Sequence, residues 1–360
     1  MNLRSLGGFL LNAIGLGLLA ALVLYVVAPQ LFKPPAPVTA PQPVATVSYA
    51  DAVRRAAPAV VSIITAQVQE SASGERQPQP DISLGSGVIL RADGYILTND
   101  HVIAGADTIA ITLQDGRQVA ADVVGRDHAT DLAVLKVPLT NLPTIPLADA
   151  HPVQVGDVVM AIGNPIGIGQ TVTMGIVSAT GRSHLDIAKY EGLIQTDAAI
   201  TYGNSGGALI NAHGELIGIN SAFLSVTRRT QTPGISFAIP NEMALWVLDQ
   251  ILENGRVIRG WLGLDGIDLV LIPRWAEANH LTNLNGVVVQ NVSRPGPAFD
   301  AGVLPGDILR RIDGKEIADG SEAMRRIAEA KPGSTMALQF VRKGQSLDLQ
   351  VKIAEMPPDA

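Results

Sequence analysis

One serine stands between glycines in Gly203-Asn204-Ser205-Gly206-Gly207, just ahead of the apolar run Ala208-Leu209-Ile210. A serine hydroxyl is a weak nucleophile, so acyl-transfer chemistry there needs a neighbouring base, an acid to orient that base and donors aimed at a developing oxyanion. Two partners of the right kind lie upstream. His101, in Thr98-Asn99-Asp100-His101-Val102-Ile103, follows the strand-like Tyr95-Ile96-Leu97 and would act as general base. Asp131 enters the apolar, β-rich run Leu132-Ala133-Val134-Leu135 and would orient the imidazole. Backbone N–H groups of Gly203 and Ser205 would form the oxyanion hole, since a glycine at 203 tolerates backbone conformations that other residues resist. Each motif alone has an ordinary reading as a glycine-rich turn, a capping or core histidine, or an aspartate that starts a strand. All three together, in the order His, Asp, Ser, point to a triad.

That chain order is the one found in the chymotrypsin fold, and the elements that must carry the triad agree with it. From Ser48 the pattern is a short helix before Pro58, then many short β-like runs separated by turn signals. Arg91-Ala92-Asp93-Gly94 and Asp115-Gly116 each separate two such runs, as hairpins require. An all-β barrel or sandwich follows. A helix closes this part, with Asn241 as cap, Ala244, Val247, Leu248, Ile251 and Leu252 on its apolar face and Gly255 as its stop. From about Arg256 a second unit begins. It holds Gly286-Val287-Val288-Val289, a loop from Gly302 to Asp307, and two alternating strands on either side of Lys343-Gly344.

Composition sets the outer bounds. A chain of 360 residues with 47% hydrophobic content is long enough for two or three cored domains. Its net charge of −7, with no dense Lys/Arg tract, gives no basic field for nucleic acid. The absence of cysteine rules out disulfides and thiolate metal sites without deciding the compartment. The histidines other than His101 are scattered and lack paired ligand spacing, so no metal and no cofactor is expected. Between Arg4 and Lys33 no residue is charged, and Phe9 to Val27 has the length and composition of a bilayer-spanning helix. The apolar stretch exceeds that of a cleaved signal peptide, and Arg4 ahead of it predicts a cytoplasmic N-terminus with the remainder exported. Pro34-Pro35-Ala36-Pro37, Pro41 and Pro43 read as an extended spacer.

The segments Thr98–Ile103, Thr130–Lys136, Gly163-Asn164-Pro165, Thr171–Arg182 and Gly203–Gly207 resemble the HtrA (high-temperature requirement A) serine proteases, and the likeness runs from about residue 48 to the C-terminus. The layout is most similar to the membrane-anchored DegS-type periplasmic stress sensors. The resemblance implies a mainly β fold, with an anchor (1–33), a Pro-rich linker (34–47), a chymotrypsin-like double β-barrel protease domain (48–255) and one PDZ domain (256–356). His101 and Asp131 would come from the first barrel and Ser205 from the second. Ala199 would form the base of the S1 pocket and Ile219-Asn220-Ser221 its wall, with no charge present, so a small apolar P1 residue such as Val is expected. In the second unit, Trp261, Leu262, Gly263 and Leu264 resemble a carboxylate-binding loop at which a peptide adds as a β-strand.

The same resemblance implies regulation. C-terminal peptides of misfolded outer-membrane proteins would bind the PDZ domain, and Arg182 in the sensor loop would relay this to the oxyanion hole. The substrate would be the periplasmic part of an anti-sigma factor, and the protein a homotrimer at the bacterial inner membrane, with Tyr49 a candidate contact. Ile166 stands where relatives carry Phe or Tyr, which bears on that trimer contact. The segment from Gln67 to Asp81 is too short for the long insertion of cage-forming members. Two other readings stay open at this point: a general quality-control protease and a non-catalytic PDZ scaffold.

Overall fold

The computed structural model describes residues 3–29, 48–67, 81–148, 152–164, 169–182, 192–201, 203–221, 234–279 and 281–357. The chain divides into two compact units, Met1–Ser48 and Tyr49–Ala360. In the first lies helix α1 (Leu3–Val27), which carries one charged residue, Arg4, near its start. Its stretch Gly7–Val27 has a mean hydropathy of 2.4, and none of it is buried against protein. A helix of this length rises about 30 Å, the thickness of a bilayer core.

The second unit opens with α2 (Ala50–Ala56), which ends in a single 3-10 turn containing Pro58. Seven strands follow: β1 (Val60–Gln67), β2 (Asp81–Ile89), β3 (Tyr95–Thr98), β4 (Thr108–Thr112), β5 (Gln118–Ala120), β6 (Asp122–Asp127) and β7 (Leu132–Lys136), with the one-turn helix α3 (Asp100–Ile103) after β3. They form an antiparallel sheet in the order β5-β4-β1-β2-β3-β7-β6. Six more, β8 (Val158–Gly163), β9 (Thr171–Arg182), β10 (Leu193–Thr196), β11 (Ala208–Asn211), β12 (Leu216–Ser221) and β13 (Ser236–Pro240), close into a barrel.

Side-chain alternation explains why several barrel strands read as unbroken apolar runs. On β8, Val159 and Ala161 point into the barrel interior with Leu209, Ile217 and Ala238, whereas Met160 and Ile162 join the core shared with the first sheet. Both faces are therefore buried, and no polar side is needed. Both predicted hairpin turns form, with Gly94 (φ 100°) and Gly116 (φ 87°) in left-handed conformations.

Helix α4 (Asn241–Asn254) buries Ala244, Val247, Leu248 and Ile251, and Gly255 stops it at φ 73° with its N–H on the Ile251 carbonyl. Asn241 is not its cap. The cap position is Pro240, and the Asn241 amide instead donates to the Leu216 carbonyl at 3.0 Å, tying the helix start to β12.

The rest is built from β14 (Gly260–Trp261), β15 (Leu264–Asp268), β16 (Val287–Val292), β17 (Ile308–Ile312), β18 (Lys315–Glu316), β19 (Thr335–Arg342), β20 (Gln345–Lys352) and β21 (Ala354–Glu355), with α5 (Pro273–Ala278), α6 (Pro297–Asp300) and α7 (Gly320–Glu329). The main path is β15-β16-β17-β19-β20, and β14 pairs with β21. Met336, Leu338, Phe340, Val351 and Ile353 fill its core, as their alternation predicts. Lys343 and Gly344 both have positive φ, the requirement of a tight two-residue hairpin. Asp319 caps α7 by accepting from Glu322 N, and the Glu322 carboxylate in turn accepts from Ala318 N.

Candidate active site

His101 is the second residue of α3, directly after β3, and Asp131 immediately precedes β7. Because β3 and β7 pair with Thr98 opposite Ala133, the two residues emerge at the same end of the sheet. Asp131 has φ 57°, an uncommon conformation for a side chain other than glycine. Hydrogen bonds hold it there. Its carbonyl accepts from Asn99 Nδ2 (2.9 Å) and from the Asp100 N–H (3.1 Å). Its carboxylate accepts from the His101 N–H (3.0 Å) and faces His101 Nδ1 at 2.7 and 2.9 Å. A carboxylate at Nδ1 selects the tautomer with the proton on that nitrogen, leaving Nε2 to receive a proton from a nucleophile.

Ser205 lies in a turn whose Gly206 N–H donates to the Asn220 carbonyl and whose Gly207 carbonyl accepts from the Asn220 N–H, both at 2.9 Å. The turn is fastened to the first sheet through Ser86. Ser86 N donates to the Ser205 carbonyl at 2.8 Å, and Ser86 Oγ donates to the Gly203 carbonyl at 2.6 Å. Ser86 Oγ also accepts from Asn164 N, and the Ser86 carbonyl accepts from Thr98 Oγ1. Gly206 (φ 80°) leaves no room for a side chain, because a Cβ would come 2.2 Å from Ser86 O and 2.3 Å from Thr98 Oγ1. The serine turn is thus pressed against the residues that lead into His101. Sequence reasoning missed Ser86. The signal was Gly85-Ser86-Gly87, a polar residue between two glycines inside a strand, where a Cβ on Gly85 would meet the Val102 side chain of α3.

Ser221 takes a different place from the one expected. Its hydroxyl donates to Asp131 Oδ2 at 3.1 Å, making it a third donor to that carboxylate. Ile219, Asn220 and Ser221 are fully buried and expose no wall to a substrate, because β12 is covered on both faces and paired on both edges. Ala199 is exposed at the surface between buried Ala198 and Ile200, and its carbonyl accepts from Thr173 Oγ1 at 2.8 Å.

A trypsin-like peptidase domain family matches residues 85–219, and a PDZ domain family matches residues 264–353. The serine endoprotease DegS of Escherichia coli (strain K12) is 43% identical over 354 residues, covering 97% of this chain and 98% of that protein. The chain belongs to the HtrA family of serine proteases. A probable periplasmic serine endoprotease of the DegP-like type from Hahella chejuensis is 44% identical, but this HtrA protease spans only 60% of its length. Among solved structures, the HtrA-type protease AlgW with a tripeptide superposes with a TM-score of 0.74 at 48% identity, covering 86% of this chain and 98% of that one.

The other expected residues of this HtrA protease sit apart from the triad candidates. Arg182 ends β9 opposite Leu193, and its Nε donates to Gln195 Oε1 at 2.9 Å. In the PDZ domain, Leu262 is buried in the core and Gly263 (φ 74°) turns the chain between Trp261 and β15. The carbonyls of Leu262 and Gly263 accept from Ala298 N and Ser293 N. Gly260 just before them approaches α7 closely, since a Cβ there would lie 2.3 Å from the Ile327 carbonyl. Tyr49 is half-buried against the protease core. Ile166 and the segment between Gln67 and Asp81 lie outside the described residues.

One charged group beside the triad candidates is perturbed. Burial opposes ionisation of Asp100, yet hydrogen bonds and charge from Arg126 and His128 outweigh it and hold the carboxyl below its ordinary value.

Proposed function

We propose that this HtrA protease is a regulatory endopeptidase of the envelope stress response. Ser205 Oγ attacks the scissile carbonyl as His101 Nε2 takes its proton, and the imidazolium then protonates the leaving amine. Asp131 orients the ring and stabilises its charged form. The N–H groups of Gly203 and Ser205 receive the oxyanion. Ala199 is the floor of the S1 pocket, selecting small apolar P1 residues. The observation that carries this reading is the Asp131 carboxylate, which gathers His101 N, His101 Nδ1 and Ser221 Oγ beside the fastened Ser205 turn.

The regulatory part rests on layout. One PDZ domain and a nearly full-length correspondence with DegS, against only partial coverage of the DegP-like relative, favour a sensor over a broad degrader. Strand β15 pairs with β16 alone among the described strands, leaving an edge to which the C-terminus of a misfolded outer-membrane protein adds. The amides of Trp261-Leu262-Gly263-Leu264 receive its carboxylate at the turn made by Gly263 (φ 74°) just ahead of β15. Arg182 relays binding to the Gly203-Asn204 peptide. The division is an anchor (1–33), linker (34–47), protease domain (48–255) and PDZ domain (256–356). The chain is a single-pass inner-membrane protein with its catalytic part in the periplasm, assembled as a homotrimer.

Cleavage of an anti-sigma periplasmic domain, measured with and without porin-type C-terminal peptides, tests the reading. Cleavage should rise with peptide and fall about 10⁶-fold in Ser205→Ala. Casein digestion without peptide would favour the quality-control reading.

A further inference from the structure

Asp100 stands one residue before His101, and its side chain is only 3% exposed. A buried carboxylate next to the proposed base is costly unless it is paired. Its two partners come from the other side of the site. Arg126 Nε, near the end of β6, lies 2.5 Å from Oδ1, and His128 Nδ1, in the turn before Asp131, lies 3.0 Å from Oδ2. Arg126 is half-exposed and His128 wholly exposed, so Arg126 is the stronger anchor. Neighbouring bonds repeat the pattern: the Asn99 side-chain amide and Asp100 N hold the Asp131 carbonyl, and His101 N holds its carboxylate. Three successive residues of one turn thus grip the other, and the Asp100 carboxylate extends that grip to Arg126 and His128.

We infer that Asp100, held by Arg126, is a positioning residue for peptide-bond hydrolysis: it locks the turn bearing His101 onto the turn bearing Asp131 and holds a compensated negative charge one residue before that histidine. The inference rests on the triad reading above. Among the described residues, the charged and titratable groups around His101 are Asp100 on its own turn, Arg126, Asp127, His128 and Asp131 on the facing segment, and Arg259, which neutralises Asp127. The second barrel contributes the neutral Ser221 hydroxyl, bonded to Asp131. A negative charge at Asp100 favours the imidazolium, and a positive charge at Arg126 disfavours it. Charge and position therefore make separable predictions.

The test is the rate of Ser205 modification by a fluorophosphonate probe as a function of pH, on the full-length protein in detergent micelles. Asp100→Asn should move the acidic limb of the profile down by about half a pH unit, and Arg126→Gln should move it up by a similar amount. Both should lower the plateau rate by about tenfold through lost alignment. Limbs that stay in place in both variants, or that move in the same direction, overturn the inference. Should Asp100→Asn fail to fold, the half-exposed Arg126→Gln decides alone. Probe attachment persisting in Ser205→Ala would instead defeat the triad reading, which a stationary limb would not.

Discussion

Arg259 and Asp127 form a bidentate ion pair at 2.7 and 2.5 Å, with both side chains only 7% exposed. Arg259 precedes the first PDZ strand, and Asp127 is the last residue of β6. Thr130 Oγ1 donates to the same carboxylate one residue before Asp131. The Arg259 guanidinium also lies over the Trp246 ring of α4 at 5.5 Å. The entrance to the PDZ domain is thereby bonded to the turn that carries Asp131.

Arg259→Ala leaves Asp127 buried without its main counter-charge. Breaking a buried pair from one side costs about 3 kcal/mol. Urea denaturation should report that loss, together with a drop in peptide hydrolysis as the Asp131 turn loosens. An unchanged denaturation midpoint would contradict the pair's role.

Ser221→Ala removes a hydroxyl donor from the Asp131 carboxylate. A hydrogen bond to a charged group is worth about 1.5–3 kcal/mol, equivalent to roughly a 10- to 150-fold change if it is lost where the imidazolium forms. The fall should appear in kcat rather than KM, because Ser221 exposes no surface to substrate.

Gly206→Ala places a methyl group against Ser86 O and Thr98 Oγ1 and requires an alanine at φ 80°. The Ser205 turn must shift, and a displacement of about 1 Å costs on the order of 100-fold in rate. Active-site titration with a fluorophosphonate should show the loss while His101 and Asp131 remain intact.

Asp100 should contribute to acid stability. Its folded carboxyl titrates below the ordinary 3.8, so its stabilisation is fully present above about pH 4 and is lost as pH falls through the depressed value. The Tm difference between wild type and Asp100→Asn should therefore shrink as pH is lowered from 5 towards 2. A difference that stays constant over that range would contradict the ion pairs with Arg126 and His128.

Cleavage-site mapping checks the pocket. The proposed S1 floor, the exposed and uncharged Ala199, predicts cuts after Val or similarly small apolar residues, and a survey dominated by Arg or Lys would reject the assignment.

The chemistry was legible because it depends on residue type. A serine between glycines, a histidine after a strand and an aspartate before one are local patterns, as are the α4 stop at Gly255, the glycine turns and the apolar span of α1. The misplaced features all concern where a side chain reaches. Asn241 read as a helix cap because the residue type favours it, yet tertiary packing turned its amide to Leu216. Ser221 read as a pocket wall from the family resemblance, yet β12 is buried on both faces and the Ser221 hydroxyl donates a hydrogen bond to the Asp131 carboxylate.

Sequence alone determined the nucleophile candidate and its partners, the β-rich pattern, the second unit and a helix fit for a membrane, because composition and periodicity are properties of short windows. Only the tertiary structure decided that Ser86 fastens the serine turn, that Ser221 serves Asp131, and that Arg259 and Asp100 grip the segment around it. Those bonds join residues far apart in the chain, and their existence depends on how strands pair and where buried charges must find a partner.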